Sequence, residues 1–291
     1  MLESLQELFE SRAQQFVSAN RGSKDPFFKA VRKIDAMAKR SAEIVKVKTA
    51  GKIIEEIQDK DIQKIKYTAH YQYLIKQKGH LYLEEEAEDR QAQFYKGALI
   101  MDEEIKTPID QTDIGAEIPS TGDMERLSYA YNRLRAVQYA ERWWNSYNPA
   151  YKKFENDCTN FISQCLRAGG APMSGYPNRG NGWWTQTNNW SYSWAIAHSL
   201  RLYLPKSQSG LRAREVNSPD QLLLGDIICY DFEGDGRFNH NTIVTGKDAN
   251  GMPLVNAHTY NSRQRYWAYE DSSAYTPNIK YKFYSIMDDN G

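Results

Sequence analysis

The sequence predicts an α+β protein, because its hydrophobic period changes from helix-like to strand-like twice along the chain. The chain has 291 residues, a length that commonly forms two domains. Apolar residues recur at helical spacing up to about residue 39 and alternate with polar ones from Ala42. Helical spacing returns beyond residue 123, and short strand-like runs fill the last third. Helices and strands are therefore segregated in each half, as in α+β domains.

Residues 1–104 are predicted to form the first domain, in which two amphipathic helices precede an antiparallel sheet. Polar turn signals at residues 59–61 and 78–79 separate the strand-like runs. This order of elements is similar to that of the cystatin-like and nuclear-transport-factor-like folds. The acidic run of residues 84–89 is interpreted as a solvated strand edge that discourages association between sheets.

Residues 105–123 are interpreted as a linker, since they contain Pro108, Gly115, Pro119 and Gly122 and few large apolar groups. The second domain is then predicted to span residues 124–291.

Residues 156–166 of this domain, NDCTNFISQCL, contain the strongest chemical signal in the chain. Phe161, Ile162 and Leu166 recur at helical spacing, and Asp157 or Asn156 is a suitable N-cap. Cys158 would then lie in the first helical turn, where the helix dipole and unpaired N–H groups favour a thiolate. We therefore predict that Cys158 is a nucleophile with a lowered pKa, and that Cys165 and Cys229 are core residues.

Composition excludes several classes of protein. Lys plus Arg equals Asp plus Glu at 37 each, so the basic surplus of a typical nucleic-acid-binding protein is absent. No apolar run is long enough to predict a membrane span. The N-terminal residues lack the features of a signal peptide, so the sequence as written predicts a cytoplasmic protein. A removed signal would instead predict a cell-wall or extracellular location. Three cysteines suggest no disulfide framework.

An aromatic stretch follows the predicted nucleophile helix and contains Trp183, Trp184 and Trp190. These tryptophans are candidate substrate-binding residues, because an aromatic wall near the nucleophile would suit a peptide or a glycan. An aromatic plug over the hydrophobic core explains the same composition equally well.

A thiol nucleophile needs a base, and the base needs an orienting group on its other ring nitrogen. His240 heads one predicted strand, and Asn256 and His258 lie on the next strand. Asn256 and His258 have the same parity and so share one face of their strand. Either residue is therefore a candidate to orient His240.

Several ordered motifs carry a resemblance to a known family. These are residues 157–164 with Gly169-Gly170, then GDII at 225–228, HNTIVTG at 240–246 and His258-Thr259. Over about residues 124–288 the chain resembles the putative amidase domain family, which is similar to papain-like peptidases and amidases of the NlpC/P60 and CHAP types. The resemblance implies a papain-like α+β fold with Cys158 as nucleophile and His240 as base. It favours His258 as the orienting residue, with Asn256 second.

The protein is predicted to be a bacterial cysteine-dependent hydrolase. It would cleave an amide bond in a peptide or peptidoglycan-like substrate through a thioester intermediate. A catalytically silent peptide- or glycan-binding module is the main alternative, and acyl transfer by the same thiol is another. No cofactor is predicted. The loop after Asp231 has some oxygen ligands of a calcium loop, but Thr242 stands where such loops have Glu, so no metal is predicted. The oligomeric state is not predicted.

Overall fold

The computed structural model describes residues 2–17, 27–106 and 128–289. The chain divides into two compact units, and one segment that interrupts the sequence of the second unit belongs to the first. The first unit contains Met1–Thr107 and Tyr260–Ser273, and the second contains Pro108–Thr259 and Ala274–Gly291. Most of the predicted linker 105–123 lies outside the described residues. The sequence-based division into contiguous domains did not anticipate that residues 260–273 belong to the first unit.

The first unit is an antiparallel sheet with two helices. The helices are α1 (Leu2–Val17) and α2 (Phe28–Lys39). The strands are β1 (Ala42–Asp59), β2 (Ile62–Gln77), β3 (His80–Tyr95) and β4 (Ala98–Glu104), each paired with the one before it. A further strand, which we label β11 (Ser262–Tyr266), lies in the segment Tyr260–Ser273 and pairs with β3.

The core of this unit forms because alternate residues of β2 share one face. Tyr67, Tyr71 and Tyr73 are fully buried on that face, where Phe16 of α1 packs edge-on against Tyr71 and Tyr73. The alternation predicted for residues 67–75 is therefore confirmed. Ile53 of β1 lies in the stretch predicted to alternate from Ala42 but is exposed.

The four glutamates of the acidic run of β3 are buried and Asp89 is exposed, so the interpretation of the run as a solvated edge is wrong. The ammonium group of Lys33, which is completely buried, contacts Glu84, Glu86 and Asp271 at 2.5 to 2.8 Å. Arg265 of β11 also bonds Asp271, at 2.9 Å. Carboxylates enter a protein interior when cations compensate them, and all three contacts of Lys33 join residues at least 51 positions apart in the sequence.

The second unit has four α-helices and five principal strands among its described residues. The helices are α3 (Arg133–Trp143), α4 (Cys158–Ala168), α5 (Tyr192–Ala195) and α6 (Ala197–Tyr203). A short hairpin, β5 (Thr185–Gln186) with β6 (Asn189–Trp190), lies between α4 and α5. The principal strands are β7 (Arg212–Val216), β8 (Ile227–Asp231), β9 (His240–Lys247), β10 (Pro253–Ala257) and β12 (Lys280–Met287).

The principal strands form an antiparallel sheet in the order β7-β12-β8-β9-β10. One face packs on α4, where Ile227, Cys229 and Ile243 join Phe161 and Ile162 in one core cluster. We call this the helix face of the sheet. Cys165 and Cys229 are fully buried in the same cluster, as expected for core residues.

A β-bulge changes the register between β9 and β10. Leu254 pairs with Gly246, but Val255 pairs with Val244, so Thr245 is the extra residue of the bulge. Asn256 then pairs with Ile243 and points to the helix face. The bulge therefore determines which side chains of β10 face α4.

The predicted α+β class is confirmed. No helix among residues 2–17, 27–106 and 128–289 is both long and apolar enough to cross a membrane.

Candidate active site

Cys158 is the first residue of α4, as the sequence predicted. Asp157 has the N-cap position, and the next eight residues of the helix are all buried because the helix lies on the sheet. Cys158 itself is 5% exposed. Its sulfur lies 3.7 Å from the hydroxyl of Thr159, which in turn accepts a hydrogen bond of 3.1 Å from the Asn241 side chain on the helix face.

The expected fall in the thiol pKa does not occur. Burial raises the pKa of the Cys158 thiol, and hydrogen bonds involving Thr159 and the Asn241 backbone offset this only in part. The negative charge of Asp157 also opposes ionisation. Burial destabilises the thiolate more than the start of the helix stabilises it, so the resting structure favours the protonated thiol.

Asp157 organises the turn around the nucleophile instead of capping α4 with its side chain. Its Oδ1 accepts hydrogen bonds from Phe154 N at 3.0 Å and from Asn160 Nδ2 at 2.9 Å. Its Oδ2 lies 2.8 Å from Nδ1 of His258. One buried carboxylate thus joins the segment before α4, the first turn of α4 and the residue after β10.

His258 is held between two oxygen acceptors. Beyond the Asp157 contact, Nε2 lies 2.7 Å from the backbone oxygen of Trp143, and the ring stacks on Phe161 with centroids 4.0 Å apart. Oxygen atoms on both sides and the Phe161 ring together fix the position and orientation of the imidazole.

Thr259 engages the backbone at the start of α4. Its Oγ1 accepts hydrogen bonds from Asp157 N at 3.1 Å and from Cys158 N at 3.2 Å. Two successive N–H groups that converge on one oxygen form an anion-binding arrangement. Thr259 has φ of 73°, a left-handed conformation that is unusual for a β-branched residue. The side chain is therefore held in this position at some backbone cost.

His240 lies on the opposite face of the sheet from α4. It pairs with Tyr230 across β8 and β9, and its ring packs 5.6 Å from Tyr230 and 5.9 Å from Phe232. Its neighbour Asn241 points to the helix face, and successive side chains alternate between faces. The structure therefore brings Cys158 and His258 to the same face and does not bring the His240 side chain to it.

Asn256 lies on the helix face but has other partners. Its Oδ1 accepts a hydrogen bond from Thr245 at 2.7 Å, and its Nδ2 donates to Glu141 of α3 at 2.9 Å. These two hydrogen bonds connect Asn256 of β10 to β9 and to α3. Asn256 and His258 thus share a face, as parity predicted, but that face is not the face of His240.

Residues 130–284, more than half of the chain, match the putative amidase domain family. The chain belongs to this family. The uncharacterized protein YhbB of Bacillus subtilis (strain 168) is 52% identical over 270 residues, which cover 89% of this chain and 86% of that protein. The uncharacterized protein YjcM of the same organism is 31% identical over 140 residues, 45% of this chain and 31% of YjcM. No solved structure matches the chain significantly.

The three tryptophans predicted near the nucleophile of this amidase domain differ in exposure. Trp183 and Trp184 are buried; Trp183 donates to Ser163 of α4 and packs on Trp194, with ring centroids 4.8 Å apart. These two side chains fit the alternative of an aromatic plug. Trp190 is half-buried and presents its ring to Lys152 and Arg179.

Acidic side chains that could suggest a metal site have other partners. In the amidase domain, the Asp231 carboxylate accepts hydrogen bonds from the N–H groups of Gly234 and Gly236 at 2.7 and 2.8 Å, which closes its loop as an ordinary turn. In the first unit, Glu84, Glu86 and Asp271 lie close enough together to share an ion, but Lys33 bonds all three.

Sequence reasoning missed Asp157 and Thr259 as parts of the site. Both adjoin residues that were singled out, since Asp157 precedes Cys158 and Thr259 follows His258. The usable signal was that both belong to the motifs that carry the family resemblance.

Proposed function

We propose that this protein is a cysteine-dependent amide hydrolase with Cys158 as nucleophile. The observation that carries the proposal is the position of Cys158 at the start of α4, beside the Asp157–His258 pair, in a domain of the putative amidase family. The sulfur would bond to the carbonyl carbon, and the C–N bond would break as the amine leaves with a proton. Water would then release the carboxylic acid and restore the thiol.

For proton transfer we propose His258, with Asp157 as its orienting group, in the first instance. In its neutral form His258 would take the proton of the Cys158 thiol as the sulfur attacks and would pass that proton to the leaving amine. The neutral ring would then take a proton from water and return it to the sulfur as the thioester is hydrolysed. To reach the reacting atoms, the ring has to release one of its two bonds, and the one to the Trp143 oxygen leaves Asp157 in its orienting role. The second candidate base is His240, with His258 or Asn256 as its orienting residue. In that case β9 would have to change its conformation so that the His240 ring reaches the helix face of the sheet.

The oxyanion site proposed here consists of the backbone N–H groups of Asp157 and Cys158. Both donate to Thr259 Oγ1 in this structure, so one oxygen atom already lies at the point where they converge. A substrate carbonyl oxygen would replace that hydroxyl and gain two donors as negative charge develops. The structure then corresponds to a resting state in which the thiol is protonated and the oxyanion donors are occupied.

The proposed fold relationship is to papain-like enzymes of the NlpC/P60 and CHAP types. A helix that begins at the nucleophile and packs on an antiparallel sheet supports it. The proposed substrate is a peptide or peptidoglycan-like amide, and another amine could intercept the same thioester, which would make the protein an acyltransferase.

A catalytically silent binding module is the second candidate function. The specific observations in its favour are the burial of the thiol, which raises its pKa, and the location of His240 on the other face of the sheet. Such a module would use the half-buried Trp190 as part of a peptide or glycan platform, and would need no activated thiol.

The deciding experiment is a mass-spectrometric screen of peptidoglycan fragments, short peptides and simple amides with the wild-type protein and Cys158→Ala. Hydrolysis adds the elements of water across one amide bond, and acyl transfer adds an amine instead. We expect products with the wild type alone. Cleavage of no compound, together with binding of peptide or glycan by both proteins, would favour the binding module.

A further inference from the structure

We propose that a surface of cations and aromatic rings beside Cys158 recognises a carboxylate group of the substrate. We call it the cationic rim and define it as Lys152, Lys153 and Arg179 with the rings of Phe154 and Trp190. The inference rests on the proposed function and deepens it, because it assigns a substrate class: a peptide amide with a free carboxylate near the bond that is cleaved.

The rim is attached directly to the first turn of α4. Asn160 donates a hydrogen bond of 2.9 Å to the backbone oxygen of Lys152, and the N–H of Phe154 donates to Asp157. Asn160 Oδ1 in turn accepts from Trp194 at 2.8 Å, which fixes the Asn160 side chain. Asp157 and Asn160, at the start of α4, thus hold the segment that carries both lysines.

Aromatic rings hold the cations in place. The Lys152 ammonium lies 4.4 Å from the centre of the Trp190 ring, and the Arg179 guanidinium lies 4.9 Å from it. Phe154 packs edge-on against Trp190 at 4.8 Å, and Lys153 lies 4.0 Å from the centre of the Tyr147 ring. A ring restricts a long side chain while leaving the hydrogen-bond donors of its charged end available.

None of these three cations forms an ion pair with a carboxylate within residues 2–17, 27–106 and 128–289. Other cations of the same unit do have such partners: Arg133 pairs with Asp226, Arg212 with Asp289 and Lys282 with Glu215. All three rim cations are exposed. Three exposed cations without a carboxylate partner among the described residues thus lie on the segments that Asp157, Asn160 and Trp190 hold together.

A carboxylate is the anion that fits this setting best. The nearest acids in the sequence are Glu155, which is exposed, and Asp157, which is buried and bonded to His258. A substrate carboxylate would add charge-assisted hydrogen bonds to Lys or Arg and would orient the amide relative to Cys158. Peptides offer such groups at their C-terminus and on Asp and Glu side chains.

The test uses matched pairs of short peptides that differ only in one carboxylate. One arm compares a free C-terminus with its amide, and the other compares Glu with Gln and Asp with Asn. Binding to Cys158→Ala is followed by Trp fluorescence, and hydrolysis by the wild type is followed by mass spectrometry. We expect at least one carboxylate peptide to bind and react about tenfold better than its neutral partner, the effect of roughly one charge-assisted hydrogen bond.

Lys152→Gln, Arg179→Gln and the double variant are the matched probes of the rim. We expect each to remove most of the preference for the carboxylate peptide, with little effect on the neutral partner. Lys206→Gln, which removes an exposed cation after α6, is the control and should keep the preference. Added salt should weaken the preference of the wild type for the carboxylate peptide, since exposed charges are screened.

Equal binding of every carboxylate peptide and its neutral partner would overturn the inference, even if hydrolysis is robust. Retention of the preference in the Lys152/Arg179 double variant would do the same. Absence of hydrolysis with a clear binding preference would instead count against the proposed function alone, because the binding arm does not depend on turnover.

Discussion

The backbone N–H of Cys158 donates a hydrogen bond of 3.2 Å to the hydroxyl oxygen of Thr259. Asp157 N donates to the same oxygen at 3.1 Å. If these two donors bind the substrate oxygen during catalysis, Thr259 competes with the substrate. Thr259 would then restrain the enzyme as well as complete the helix start.

We therefore expect Thr259→Val to increase the rate at which iodoacetamide alkylates Cys158, by several-fold. The substitution keeps the shape of the side chain and removes the oxygen, which leaves two N–H groups to stabilise a thiolate. Thr259→Ser keeps the oxygen and should behave like the wild type. Alkylation is quantified on the peptide that contains Cys158.

A purely structural cap predicts a different pattern. Loss of a helix cap costs about 0.5–2 kcal/mol of stability. If Thr259→Val lowers the stability to denaturant and leaves the alkylation rate unchanged, Thr259 is a cap and the competition with substrate is wrong.

The two histidines give a second prediction. His258→Gln should lower kcat for amide hydrolysis by about 10²–10⁴-fold, the usual contribution of one general acid–base group. His240→Gln should lower it far less, because that ring lies on the face of the sheet opposite α4. Rates are compared over a range of pH, and circular dichroism checks the fold of both variants.

The reverse ranking would assign the base to His240, as the resemblance implied from the sequence. His258 and Asp157 would then be positioning residues that hold α4 against β10, and β9 would have to present His240 differently during turnover.

The sequence was sufficient for the helix start at Cys158 and for the strands, because both follow from local hydrophobic period. It was not sufficient to predict on which face of the sheet each histidine side chain lies. Without the bulge at Thr245, His258 would pair with Thr242 and share a face with His240; with it, their faces are opposite. One extra residue in β9 thus reverses the relation between the two rings, and no feature of local period reveals it.

The buried acids of β3 show a second limit. Glu84 and Glu86 look like surface residues because their sequence neighbours are charged. Their burial depends on Lys33 of α2, which contacts both, and on Arg265, which contacts Glu86 from a segment far along the sequence. Compensation between charges is a property of three-dimensional contacts, so composition alone could not predict it.

The Lys33 cluster predicts a large effect on stability. Lys33→Met leaves Glu84, Glu86 and Asp271 without their shared cation, and removal of one member of a buried ion pair costs about 3–5 kcal/mol. The matched control is Lys66→Met, whose pair with Glu55 is nearly half exposed on both sides and should cost about 0–1 kcal/mol. Urea denaturation measures both. Equal, small effects would show that the cluster contributes little.

The same cluster predicts how stability changes with pH. Burial alone would raise the pKa of Asp271, but Arg265 and Lys33 outweigh it and lower that pKa, and Lys29, Lys33 and Arg265 do the same for Glu86. Groups with a lowered folded-state pKa stabilise the fold above the unfolded-state pKa, about 4 for carboxyls. That contribution is lost as the pH falls through the folded-state values.

The free energy of unfolding should accordingly fall on acidification below about pH 4. The fall should be shallower in Lys33→Met, because its carboxyl groups lose the cation that lowers their pKa. Parallel curves for the two proteins, from denaturation at a series of pH values, would contradict the role assigned to Lys33.

The central claim is that Cys158 performs the chemistry, and the most direct measurement compares Cys158→Ala with Cys165→Ala. Both substitutions remove a buried thiol from α4, but Cys165 is a core residue one helical turn or more from the helix start. On an amide that the wild type cleaves, we predict that Cys158→Ala loses hydrolysis by at least about 10³-fold, while Cys165→Ala retains it. Hydrolysis by correctly folded Cys158→Ala at the wild-type rate would contradict the account.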